Sequence, residues 1–301
     1  MITPTPLLGV GRPVGDKQRE KTGIQFCWFF LRRMRLRQLL FGIVAVLTLA
    51  GTAFAGDHLL PFGLSIVPKE MRSDLPLPYG VSVQYLYVTE KLSIRDFALS
   101  VNGQKIPSSL VKMTSLRQRT QTVTARIDAW LLPFLNLYCI GGYVTGTASN
   151  LKLNSSIVIP FAVPSSIDYH GSVFGGGTTL AGGYGPFFLN YDVNYTWTQV
   201  NMLDTSVHTL VQGIRAGYQG KVCGCRFSFY GGGLWEGIRE SQRGSTTMGG
   251  MKLKYSLEAR AIYPWNPLVG TQVEFGSHGN LKIEGGFGGR KLITTSFGVR
   301  F

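Results

Sequence analysis

The stretch Phe187-Phe188-Leu189-Asn190-Tyr191-Asp192-Val193-Asn194-Tyr195-Thr196-Trp197-Thr198-Gln199 changes character at every second residue. Its odd positions are Phe187, Leu189, Tyr191, Val193, Tyr195 and Trp197; its even ones from 190 on are Asn190, Asp192, Asn194, Thr196 and Thr198. Successive side chains of a β-strand point to opposite faces. The segment therefore reads as a strand with a greasy, aromatic face and a polar face that includes a carboxylate. The same split sets Met251, Leu253, Tyr255, Leu257, Ala259 and Ala261 against Lys252, Lys254, Ser256, Glu258 and Arg260. It separates Val123, Ala125, Ile127, Ala129 and Leu131 from Thr124, Arg126, Asp128 and Trp130, and it recurs at 281–287 and 293–301.

A soluble β-sandwich also alternates, with its apolar face turned inward. These segments are longer, near the length a tilted membrane strand needs, with ionic groups on one face and Tyr and Trp near the ends of the other. The pattern predicts an all-β fold, a transmembrane antiparallel β-barrel over residues 80–301. Trp197, Trp235, Trp265, Tyr195, Tyr218 and Tyr263 are expected in its interfacial girdles. Closure follows from the solvent: an unpaired backbone group in hydrocarbon costs several kcal/mol, so the sheet can leave no free edge. The glycine runs at Gly175-Gly176-Gly177 and Gly231-Gly232-Gly233 suit bent strands; no Gly-Lys-Ser/Thr follows them, as a phosphate loop would require.

Thirteen candidate strands can be drawn, of which 94–101 and 152–163 are the weakest. Bacterial barrels have even strand numbers, so about twelve are expected. With the C-terminus fixed in the periplasm, this count puts the polar stretch 239–250 on the periplasmic side.

Composition agrees with a wall. Charged residues are 15% of the chain, and there are 39 Gly, 13 Tyr and 18 Phe. A single stretch approaches the ~20 apolar residues of a membrane helix. That stretch is 39–55, ending Ala53-Phe54-Ala55, with Arg32, Arg33, Arg35 and Arg37 before it. This is the form of a cleaved signal peptide, and no Cys follows for lipid attachment. A leader beginning at Met34 has ordinary proportions. The expected division is therefore an N-terminal extension at 1–33, a signal peptide at 34–55, a periplasmic segment at 56–79 and the barrel from 80. The formal charge is +14, but eight Lys/Arg and two Asp/Glu precede residue 56, leaving +8 on the mature part. Those cations are scattered along strands, which argues against nucleic acid as a partner. Cys223-Gly224-Cys225 reads as a turn between strands rather than a metal or redox pair.

If polar faces point inward, Arg126, Asp128, Asp192, Arg215, Arg226, Lys252, Lys254, Glu258, Arg260, Glu274, Lys282, Glu284 and Arg300 line the lumen. They would either plug it with ion pairs or form a basic lining that favours anions. Asp168, His170 and Ser172 share a strand face and are the sharpest candidates for hydrolytic chemistry. DYHGS is also an ordinary polar entry to a strand, and no catalytic residue, cofactor or metal site is assigned. The basic connector 102–120, with Lys105, Lys112, Arg117 and Arg119, could meet phosphorylated lipid.

The pieces Asp128-Ala129-Trp130-Leu131-Leu132-Pro133-Phe134-Leu135-Asn136, Thr178 through Gly185 (TTLAGGYG), Asn194-Tyr195-Thr196-Trp197, Trp265-Asn266-Pro267-Leu268-Val269-Gly270 and Glu284-Gly285-Gly286-Phe287-Gly288-Gly289-Arg290 running to Val299-Arg300-Phe301 resemble a group of outer-membrane β-barrels of Gram-negative bacteria. The resemblance covers most of 80–301. It implies the cell outer membrane as location, with outer-membrane lipid and lipopolysaccharide as surroundings. It also implies Phe301 as the C-terminal signal read by the barrel assembly machinery. That group has no established activity, so no site residue carries over. The expected role is a passive channel or a structural surface protein; a barrel binding host or lipopolysaccharide groups through its loops is the alternative, and a lipid-active enzyme stands third.

Overall fold

In the computed structural model, residues 76–107, 111–112, 115–149, 154–155, 166–238, 240–248 and 251–301 are described. The leader, the Met34 start and most of the 56–79 segment lie outside them.

The strands in chain order are β1 (Tyr79–Val101), β2 (Gln104–Ile106), β3 (Val111–Lys112), β4 (Ser115–Leu132), β5 (Leu135–Ser149), β6 (Asn154–Ser155), β7 (Ser166–Tyr184), β8 (Phe187–Val200), β9 (Val207–Val222), β10 (Cys225–Ile238), β11 (Glu240–Met248), β12 (Met251–Ala261), β13 (Trp265–Phe275), β14 (Gly279–Gly286) and β15 (Lys291–Arg300). Ten of them close a ring of antiparallel ladders, β1-β4-β5-β7-β8-β9-β10-β13-β14-β15 and back to β1. The seam joins first strand to last: Gly80 pairs with Arg300 and Thr89 with Lys291. Tyr79 and Phe301 exchange both backbone hydrogen bonds at 3.0 Å, so the C-terminal residue locks the seam.

The wall is thus ten strands rather than about twelve, for three local reasons. Candidates 80–88 and 94–101 are one strand, β1, bent by a bulge where Asp96 has φ 51°. Of 152–163, the described part is β6, which pairs with β3 outside the ring. Segment 251–261 is β12, half of a hairpin with β11 inserted between β10 and β13. Those two strands pair directly with each other, Trp235 against Trp265. The hairpin instead extends the wall beyond β15, pairing Leu253–Ala261 with Leu92–Val101 of β1.

Recounting the wall also corrects the sidedness. One end carries both chain ends of the wall and the short turns at 133–134, 185–186, 223–224 and 276–278. The other carries the ends of β1 and β5, the connections 201–206 and 287–290 and the β11–β12 hairpin, so 240–248 of the polar stretch is at the end opposite Phe301. Short turns on the periplasmic side and long connections outside are the usual arrangement of such barrels. Cys223 (φ 51°) and Gly224 (φ 78°) occupy the two central positions of a tight hairpin turn of the type that follows the twist of its strands. Cys139, Cys223 and Cys225 are free thiols.

The outer face is greasy. Ile127, Phe174, Phe187, Leu189, Ile214, Phe229, Val269, Ile293 and Phe297 are all exposed there. Phe134, Tyr184, Phe187, Tyr218 and Phe275 ring the short-turn end, and Tyr195, Trp197, Tyr263 and Trp265 the other. Their neighbours one residue along, such as Arg126, Asn190, Arg215, Ser228 and Thr294, line the interior. An apolar patch of this extent suits contact with acyl chains rather than water.

Candidate functional site: the barrel lumen

The interior is one cavity of about 1450 Å³, lined from Leu77 and Asn280 at the short-turn end to Leu99, Leu203 and Leu257 at the long-loop end. Its chemistry is layered. Near the short turns, parity of the strands turns Arg126 and Asp128 (β4), Asn136 and Tyr138 (β5), Asp192 (β8), Arg215 (β9), Lys282 and Glu284 (β14) and Arg300 (β15) inward. These groups are tied together. Arg126 donates to Asn136 Oδ1 at 2.7 Å, and Asn136 Nδ2 donates to Asp128 at 2.7 Å. Arg300 reaches Asp128 at 2.9 Å, two strands away across β1. The Arg126 guanidinium lies 3.7 Å from the centre of the Tyr138 ring. The Tyr138 hydroxyl donates to Asp192 at 2.9 Å, and Thr179 donates to the same carboxylate at 2.6 Å. On the opposite side Arg215 meets Glu284 at 2.5 Å, spanning from β9 to β14, and Lys282 approaches Glu284 at 3.3 Å. Arg226 and Glu274 pair at 3.5 Å on adjoining strands.

The cross-lumen contacts need glycine in the wall. A Cβ on Gly80 would stand 2.7 Å from Asp128 Oδ1 and 2.9 Å from an Arg300 nitrogen, and one on Gly177 would collide with the Tyr138 ring and the Val193 carbonyl. Gly80→Val is expected to separate Arg300 from Asp128. A thermal melt in detergent should show a barrel destabilised by about 1–3 kcal/mol, the cost of leaving a buried group without its partner.

Midway up, Leu86, Val88, Val144, Val173, Val211 and Leu234 alternate with Thr120, Thr122, Thr124, Thr196 and Thr198. Glu90, Glu236 and Arg290 make a second ionic level, with Arg290 bonded to Glu236. Above it the interior is apolar: Leu92, Ile94, Leu257 and Ala259 are buried together, with Phe97, Leu116, Tyr255 and Ala261 packed on them. Tyr255, on the hairpin beyond the wall, donates to the Met202 carbonyl at 2.6 Å; burial and the Asp204 carboxylate push its phenol above the usual range.

Of the residues expected in the lumen, Arg126, Asp128, Asp192, Arg215, Arg226, Glu274, Lys282, Glu284 and Arg300 are placed there. Lys252, Lys254, Glu258 and Arg260 are not. On β12 it is Tyr255, Leu257 and Ala259 that line the cavity, while Lys252 and Lys254 are exposed and Arg260 pairs with Glu258 on the outer surface. The hairpin stands beyond the greasy belt, where the outside solvent is water, so its apolar face turns in. Sequence reading missed Glu90, Lys221, Glu236 and Arg290. Strand parity could have found the first three; Arg290 follows a glycine turn and carries no alternation signal.

Asp168, His170 and Ser172 lie on the outer surface of β7, opposite lumen-lining Ile167, Tyr169 and Val173. Asp168 accepts from Thr147 at 2.7 Å, and His170 stacks loosely on Tyr143 with ring centres 6.3 Å apart. Among the described residues, no hydrogen bond joins the three side chains, and no group of three His, Cys, Asp or Glu is gathered as metal ligands would be.

No protein-family model and no curated protein sequence matches the chain. Among solved structures it is similar to the transport unit of the autotransporter AIDA-I from Escherichia coli, with 11% identity over 85% of this chain and 96% of that one and a TM-score of 0.34. It is similar to an outer membrane channel from Pseudomonas putida F1, with 14% identity, 78% and 99% coverage and a TM-score of 0.32. It is also similar to the translocator domain of the autotransporter NalP from Neisseria meningitidis, with 12% identity, 77% and 93% coverage and a TM-score of 0.32.

Proposed function

We propose that this chain is an outer-membrane barrel serving as a narrow passive channel for small solutes, without preference for anions. The observation that carries the reading is the single cavity reaching from the short-turn end to the long-loop end. Charge balance supports the second half. Every acidic group of the lower layer has a cationic or hydrogen-bonding partner within 3.5 Å, and among the described residues seven basic lumen groups stand against six acidic ones once the β12 cations are placed outside. The outer-membrane location rests on the apolar belt and girdles, on short turns confined to one end, and on the leader expected at 34–55. Phe301, fixed against Tyr79 at the seam, would serve as the signal for the assembly machinery.

Planar-bilayer recording of the refolded mature chain tests this. Small, stable conductance steps with a reversal potential near zero under a salt gradient are expected. A silent bilayer would instead favour a second reading, in which the Arg215–Glu284 strut and its neighbours seal the lumen and the barrel is a structural surface protein.

A further inference from the structure

We propose that the outer surface of β15, β1 and β4 binds the phosphate groups of lipid in the leaflet at the long-loop end, through Lys91, Arg117, Arg119 and Lys291. This inference rests on the membrane reading above but not on the channel.

All four residues are exposed, and each stands opposite in parity to a lumen-lining neighbour: Leu92, Leu116, Gln118, Thr120 and Leu292 point inward. Cross-strand register then gathers them. Lys91 is directly opposite Arg117, and Thr89 is flanked by Arg119 on one side and Lys291 on the other. The four cations therefore occupy adjoining positions on three consecutive strands. Like charges directly opposite in a ladder repel. Among the described residues, none of the four is recorded with a carboxylate within ion-pair distance. The outward side chains beside Arg119 and Arg117 on β5 are Thr147 and Ser149, which bring no charge. Such a patch is costly on its own and is relieved by a multivalent anion.

Its height says which anion. On β1 the outward series runs Tyr85, Tyr87, Thr89, Lys91; on β4, Val123, Gln121, Arg119, Arg117; on β15, Phe297, Thr295, Ile293, Lys291. Each passes from apolar or aromatic to cationic within a few residues. From Ala129, opposite the first wall residue Tyr79, to Arg119 is ten residues. At about 3.3 Å per residue and a strand tilt of about 40° that is about 25 Å, the height of the apolar band of membrane barrels. The cations stand where the hydrocarbon ends and phosphates begin. Arg adds planar, forked donors that match phosphate oxygens. Beyond Thr147 the patch ends at Asp168, which accepts from Thr147 at 2.7 Å, and further round stand Tyr143, His170, Trp197, His208 and Trp265, so the binding surface covers one side of the barrel and would hold a lipid in one place.

The test uses the mature barrel refolded into phosphatidylcholine vesicles doped with a diphosphorylated lipid A, read by native mass spectrometry as the fraction of barrel carrying the glycolipid. The wild-type chain is expected to retain it. The variant Lys91→Gln, Arg117→Gln, Arg119→Gln, Lys291→Gln should retain it at least about tenfold less. Lys252→Gln, Lys254→Gln, two exposed cations of the hairpin, should match wild type. Retention of the dephosphorylated lipid equal to the diphosphorylated one would overturn the proposal, as would equal retention by wild type and the fourfold variant. Displacement of the lipid by an equal concentration of inorganic phosphate would make free phosphate the ligand and overturn the lipid assignment. If no chain enters the vesicles, the membrane reading itself fails and this inference falls with it; folded insertion with no lipid retained sinks this inference alone.

Discussion

Arg215→Ala is expected to destabilise the barrel by about 3–5 kcal/mol, the range for removing one partner of a buried ion pair. Arg215 bonds Glu284 at 2.5 Å, and both side chains are largely shielded within the lumen. With the guanidinium gone, Glu284 keeps Lys282 at 3.3 Å but loses the contact that holds β9 to β14 across the cavity. The loss should be read as a lower midpoint of urea unfolding in detergent micelles or vesicles. Adding Glu284→Gln to the same chain also takes the carboxylate from Lys282, so the double variant is expected to be no more stable than Arg215→Ala. The double variant should also conduct more than wild type, because the strut no longer crosses the passage. A single variant as stable as wild type would mean that the strut carries no weight.

Arginine placed on the two faces of the wall should give opposite results. Ile214→Arg puts a charge on the outer surface of β9, inside the apolar belt, where the expected cost is about 2–4 kcal/mol. Asn194→Arg puts the same charge on the lumen face of β8, beside Asp192, to which Asn194 now donates at 3.4 Å. That substitution is expected to fold nearly as well as wild type and to alter conductance instead. Folding yields in vesicles, compared for the two variants, check the contrast.

The contrast also marks what a sequence can tell. Alternation showed in β8 and β4 which residues share a face, because the period of a strand is two whatever surrounds it. It could not say which face meets which solvent. In the belt the outside is greasy and the ionic face turns in; in β12 the same alternation is inverted, and Lys252 and Lys254 look out. Strand number failed for a related reason. The bulge at Asp96 interrupts the pattern of β1 without ending the strand, and β12 imitates a wall strand while pairing beyond the wall. The lumen network was legible as a set of inward charges and not as pairs. Arg215 and Glu284 are 69 residues apart, and only closure of the ring brings them together. Gly177 reads as a generic bend former and Gly80 carries no signal of its own; their close fit to Asp128, Arg300 and Tyr138 depends on partners from other strands.

The inside–outside assignment can be measured at one pair of adjacent residues on β5. Cys139 is exposed on the outer face, and Ile140 lines the lumen. In a mature chain with Cys223 and Cys225 changed to serine, a fluorophore at Cys139 in vesicles should be quenched strongly by brominated acyl chains. The same fluorophore at Ile140→Cys, with Cys139→Ser, should be quenched by a small water-soluble agent and not by the lipid. Quenching by the brominated lipid at 140 and not at 139 would contradict the account.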